Sequence, residues 1–77
     1  MKTAISEWTP CRMKFYKAVK GFGFAYRDNS HQDIFIHASM LQKVGFTGNL
    51  KPETQIDVRY IETPKGLNAI DIRIPPQ

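Results

Sequence analysis

Cysteine occurs once in this chain of 77 residues, at Cys11, so no disulfide can form within it. A lone thiol fits a reducing compartment. No apolar run approaches the roughly 20 residues that span a bilayer. The N-terminus carries Lys2 but no hydrophobic stretch of signal-peptide length. These absences lead to the expectation of a soluble, cytoplasmic protein that does not engage a membrane. Acidic residues are the minority, seven against eleven Lys and Arg, for a formal net charge of +4 and a pI of about 9.5. Such a balance favours a polyanionic partner, although a modest lysine excess is also common on ordinary surfaces.

Histidine is almost as scarce. His31 and His37 are the only two, and with Asp33 they form the one grouping that suggests a metal. No cysteine or further histidine completes a ligand set, so no metal and no cofactor are expected. Cys11 has nothing near it in sequence to lower its pKa, which argues against a nucleophile. No clustered carboxylates suggest a nuclease. The expectation is a protein without enzymatic activity. At this length there is room for one domain, which buries only about 60% of its unfolded surface and should be marginally stable.

What is present is concentrated in two stretches. Lys20-Gly21-Phe22-Gly23-Phe24-Ala25-Tyr26 and Asp33-Ile34-Phe35-Ile36-His37 both alternate with a period of two, the period of a strand. One face of the first takes Lys20, Phe22, Phe24 and Tyr26, and the other takes only Gly21, Gly23 and Ala25. In the second, Ile34 and Ile36 oppose Asp33, Phe35 and His37. Aromatic residues in strands usually pack in a core. Burying these phenylalanines, however, would expose a strand face without side chains, and burying the second set would bury a carboxylate. The core therefore takes the isoleucines and small residues. Phe22, Phe24, Phe35 and His37 then face water beside Lys20, an arrangement that suits the flat, anionic surface of single-stranded nucleic acid.

Lys20-Gly21-Phe22-Gly23-Phe24 and Ile34-Phe35-Ile36-His37 resemble the two RNA-binding motifs of the bacterial cold-shock protein family, in the family's order and at about its spacing. The resemblance runs from about Met13 to Ile72. It implies a five-stranded antiparallel OB-fold barrel that binds single-stranded RNA and DNA and acts as an RNA chaperone, here as a monomer. The RRM shares the Lys-Gly-Phe-Gly-Phe opening but has its two motifs in the reverse order and needs two amphipathic helices. An OB-fold protein-interaction module that uses the same aromatic face for a peptide is the alternative reading.

The rest of the chain fills in around these motifs. Residues 1–10 read as an extension, flexible or lightly docked, that holds the only tryptophan, Trp8. Residues 11–77 are the expected domain. Cys11 to Ala18 should form the first strand. Simple alternation groups Phe15 with Met13, whereas the resemblance buries Met13 and Tyr16 and turns Lys14 and Phe15 toward ligand; a bulge reconciles the two. Phe15 stands where relatives usually have tryptophan, and Ala38 where they often have an aromatic residue. Ala38 to Val44 has helical spacing for a turn or two, stopped by Gly45. By resemblance, Phe46 supplies a loop ring for stacking. Thr54 to Ile61 reads as the fourth strand, with Ile56, Val58 and Tyr60 alternating. Thr63 to Asn68 reads as a hairpin loop whose Lys65 matches a ligand-contacting basic position of relatives. Ala69 to Ile74 reads as the last strand, with Ile70, Ile72 and Ile74 inside. The candidate binding set is thus Lys14, Phe15, Lys20, Phe22, Phe24, Asp33, Phe35, His37, Phe46 and Lys65.

Overall fold

The computed structural model describes residues 4–30, 32–45 and 50–75. Its elements follow in the order β1 (Thr9–Lys17), β2 (Phe22–Tyr26), β3 (Ile34–His37), α1 (Ala38–Lys43), β4 (Gln55–Thr63) and β5 (Gly66–Arg73). The strands close a barrel in the spatial order β1-β2-β3-β5-β4. Its ladders are antiparallel except that of β3 on β5, which runs parallel through Ile34↔Leu67 and Phe35↔Asn68. This is the all-β, five-stranded barrel of the OB-fold.

β1 serves two partners. Its first half pairs β4, from Thr9↔Val58 to Arg12↔Gln55, and its second half pairs β2. Between them the register steps from Met13↔Ala25 to Phe15↔Phe24, which leaves Lys14 as an extra residue. This is the expected bulge. It bends the strand so that Met13 is fully buried and Tyr16 packs at the core edge, while Lys14 and Phe15 both turn outward.

The core holds Met13, Ile34, Ile36, Ile56 and Val58 without solvent exposure, together with Cys11, Ala25, Leu41, Leu50, Leu67, Ala69 and Ile72. Full burial of one such aliphatic side chain contributes about 1.5–3 kcal/mol. No charged or polar side chain is buried with them among the described residues. The choice between the two faces of β2 and β3 is therefore the one that alternation indicates.

Several expectations need correction. β1 begins at Thr9, not Cys11, and ends at Lys17. Upstream of it the extension follows the docked one of its two expected alternatives: Ser6 N–H donates to the Tyr60 carbonyl at 2.9 Å, Tyr60 N–H donates to Ser6 Oγ at 2.9 Å, and Ile5 bridges Ile61. Lys20 does not lie on β2. The chain reverses at Ala18–Gly21, where the amides of Lys20 and Gly21 both donate to the Lys17 carbonyl and Gly21 takes φ +76°. The β4–β5 connection is only Pro64 and Lys65, because Thr63 and Gly66 still pair. Ile70 is not inside. The register steps from Arg59↔Asp71 to Tyr60↔Ala69, so Ile70 is the extra residue of a second bulge and sits half exposed, while Leu67 and Ala69 turn inward.

The short helix forms as expected. His37 caps it, its Nδ1 accepting the Ser39 amide at 3.1 Å, and Gly45 ends it at φ +72°. Leu41 anchors it in the core, with Met40 packed alongside.

Candidate nucleic-acid interface

The outward faces of β1, β2 and β3 carry five aromatic side chains in two cross-strand rows. Pairing sets the first row, because Phe15 lies opposite Phe24 and Phe24 opposite Phe35. It sets the second as Lys17, Phe22 and His37, since Lys17 lies opposite Phe22 and Phe22 opposite His37. Ring centroids are 5.6 Å apart for Phe15–Phe24 and Phe24–Phe35, 5.8 Å for Phe22–Phe35, 6.1 Å for Phe22–Phe24 and 6.4 Å for Phe35–His37. Phe24 touches three other rings. The four phenylalanines are half exposed and His37 is exposed, so each keeps an open surface.

The opposite side of β2 explains why this surface can exist. Gly23 lies under the bulged β1, and a Cβ built there would come within 2.4 Å of the Phe15 carbonyl oxygen and 2.9 Å of Tyr16 Cα. Only glycine allows β1 to fold down over β2 and bring Phe15 beside Phe24. Gly21 reaches across to the helix instead, its carbonyl accepting the Ala38 amide at 2.9 Å. Ala38 follows His37 as the first helical residue and sits half buried near Gly21.

Polar groups rim the platform. Lys14 Nζ pairs with Asp33 Oδ2 at 3.0 Å, with both side chains partly exposed. Lys17 Nζ sits 5.7 Å from the centroid of Phe15. Beside Phe24 and Phe35 opens a recess of about 510 Å³, rimmed by Asp33, Thr63, Lys65 and Asn68. Asn68 is the group that reading the sequence misses. As a loop residue it carries no signal, but in β5 it pairs Phe35 across the parallel ladder and brings an amide to the edge of the aromatic row.

Of the candidate residues, the fold gathers Lys14, Phe15, Phe22, Phe24, Asp33, Phe35 and His37 on one surface and adds Lys65 at its β5 edge. Lys20 stands apart in the β1–β2 turn. Phe46 and His31 lie outside the described residues. Among the described residues no three His, Cys, Asp or Glu side chains are grouped to hold a metal ion. No described helix is long and apolar enough to cross a membrane. Cys11 is buried within the barrel, and that burial pushes its thiol up to about 11.

Comparison with known proteins points the same way. The family model for the 'Cold-shock' DNA-binding domain matches residues 11–75. The chain is 33% identical over 64 residues to the cold shock-like protein CspA of Stigmatella aurantiaca, covering 83% of this chain and 93% of that protein. It is 32% identical over 60 residues to the major cold shock protein of Micrococcus luteus, covering 78% and 88%. A cold shock-like protein of Aquifex aeolicus is 29% identical over 62 residues, covering 80% and 87%. No solved structure matches the chain at a significant level. With the barrel, the paired motifs and these relatives in agreement, the chain belongs to the cold-shock domain family.

Proposed function

We propose that this protein binds single-stranded RNA or DNA across the β1–β2–β3 face by equilibrium association and holds it unpaired, as an RNA chaperone does. The observation that carries the reading is the pair of aromatic rows, Phe15–Phe24–Phe35 and Phe22–His37, left half open on a wall whose inner side is fully packed. Stacking on such rings contributes about 1–3 kcal/mol per base and tolerates any base. Lys14, Lys17 and Lys65 stand where phosphates or base edges pass. Asp33 and Asn68, at the mouth of the recess beside Phe24 and Phe35, offer an acceptor and an amide to a base edge.

Lys14 and Lys65 differ in what they give up. Lys14 already holds Asp33, an exposed pair worth about 0.2–1 kcal/mol. Engaging a phosphate means loosening that contact and freeing the Asp33 carboxylate toward a base.

Titration of short single-stranded RNA and DNA at several salt concentrations tests the reading. With three to five phosphate contacts at about −0.7 each, log K should fall against log salt with a slope of about −2 to −3.5. Phe24→Ala should lower affinity by about 1–3 kcal/mol at every salt concentration and leave the slope alone. Lys65→Ala should flatten the slope more than Lys14→Ala. Unchanged affinity in Phe24→Ala would remove the platform from the binding surface. A salt-independent affinity would point instead to a peptide ligand.

A further inference from the structure

Beyond the aromatic rows, at the end of the barrel, the β1–β2 turn and the segment entering β4 enclose a second open groove, of about 560 Å³. Its walls combine three lysines, Lys17, Lys20 and Lys51, with an apolar floor that includes Tyr16, Leu50 and Pro52. No carboxylate among the described residues lines it. Among the described residues, neither Lys20 nor Lys51 is in an ion pair. Val19 completes the rim, an apolar side chain wholly in water at the tip of the turn. Three lysine side chains lining one apolar trough concentrate positive charge there, and the trough suits a ligand that alternates charged and flat apolar parts.

The groove is continuous with the aromatic face. Lys17 belongs to both: it is paired with Phe22 in the second row, its ammonium lies near the Phe15 ring, and it also lines the groove. A strand stacked on Phe22 and leaving the platform past Lys17 therefore enters the groove that Lys20 and Lys51 also line.

We propose that this groove carries the phosphodiester backbone of a bound strand beyond the aromatic face, with Lys17, Lys20 and Lys51 as its phosphate contacts. The proposal rests on the reading of the face as a single-strand binding surface and extends its footprint. A strand of about four nucleotides fills the face alone, whereas one of about ten reaches the groove, both within the range of a single OB-fold.

Titrating wild type, Lys51→Glu and Lys51→Gln with both lengths tests this. Lys51 is exposed, lies off the aromatic face and has no ion pair among the described residues, so both variants should melt as wild type does. For the longer strand, the two contacts added by Lys20 and Lys51 should steepen the wild-type salt slope by about 1.4 relative to the short one. Lys51→Gln should remove about 0.7 of that increment, so affinity lost between about 50 and 200 mM salt shrinks by about 2.6-fold. Lys51→Glu should weaken the longer strand further. The short strand should bind all three proteins alike. Equal binding of the longer strand by wild type and both variants overturns the groove assignment. Equal weakening of both lengths also overturns it, since that reports only the field of the whole molecule. Failure of the short strand to bind wild type would instead defeat the aromatic-face reading on which the groove depends.

Discussion

Gly23 meets two demands at once, one from packing and one from function. Its hydrogen sits where a methyl group would collide with the backbone of Phe15 and Tyr16. Those atoms belong to the bulged strand and cannot swing aside as a side-chain tip can. Gly23→Ala should therefore force β1 away from β2, at a cost of about 1–3 kcal/mol. It should also part Phe15 from Phe24, weakening single-strand binding beyond the loss of stability. Urea unfolding and titration of the same sample check this, and an unchanged midpoint would show that the two strands can separate freely. Cys11 permits a second test at this scale. Burial raises its thiol from 9.0 to about 11, with Arg27 opposing and Asp57 and Asp28 adding to the rise. The unfolded chain thus releases this proton above about pH 9, while the folded chain keeps it until about pH 11. Across that window the unfolded state binds fewer protons, so stability falls as pH rises. The Tyr26 hydroxyl, donating to Glu53, is raised too and acts in the same direction. At about 1.4 kcal/mol per unit, the thiol's part amounts to roughly 1–3 kcal/mol. Cys11→Ala should lose less stability than wild type between pH 8.5 and pH 10.5 (about two units), measured by urea unfolding. Equal losses would mean that the thiol ionises within the fold.

Legibility in the sequence differed from element to element for physical reasons. β2 was readable because large and small residues alternate in it without interruption, and β3 because its isoleucines oppose a set whose burial would take Asp33 inside, and inward burial follows. The β1 bulge was readable only through the family resemblance, since Cys11, Met13 and Phe15 also alternate plausibly as a regular strand. In β5 the unbroken Ile70, Ile72 and Ile74 pattern misleads. The bulge that turns Ile70 aside is set by register with β4, a property of two strands rather than one. The segment before Cys11 was obscured by its polar residues and Pro10, yet Thr9 and Pro10 pair β4, and Ser6 holds the Tyr60 backbone through its own amide and its hydroxyl oxygen. Trp8 fastens this segment from outside. The Arg73 guanidinium lies 4.3 Å from its ring centroid and that of Arg59 5.8 Å, and Arg73 also pairs with Asp57 at 3.2 Å. Cation–π contacts at partly exposed sites contribute about 0.5–1 kcal/mol each. Trp8→Ala should accordingly destabilise the barrel by roughly 1–2 kcal/mol, while leaving affinity for a short single strand unchanged. A calorimetric melt and a titration distinguish these effects. A variant that keeps its stability but loses binding would place Trp8 in the interface.

At the scale of the whole molecule, the barrel separates two aromatic sites that composition alone cannot tell apart. The phenylalanine rows occupy β1, β2 and β3, and Trp8 lies against Arg59 of β4 and Arg73 of β5, the wall across the barrel from β2. Charge is distributed in a similar way. Around Trp8, Arg73 is matched by Asp57, and Arg59 lies opposite Asp71, so this wall is close to neutral. Among the described residues, the lysines of the β1–β2 turn and the groove beside it have no carboxylate in the groove lining. The positive field that draws a polyanion thus gathers on the side bearing the phenylalanines, and a strand has little electrostatic reason to cross to the tryptophan. A base must stack on the indole to quench it strongly. Oligothymidine should therefore change Trp8 emission only weakly at saturation, even where anisotropy of a labelled strand shows tight binding. Unfolding in urea should shift the same emission substantially, because it strips away both guanidinium groups and the β4 contacts of Ser6. Strong quenching at saturating oligothymidine would mean that the strand continues around the barrel to β4 and β5, which would double the footprint assigned to it here.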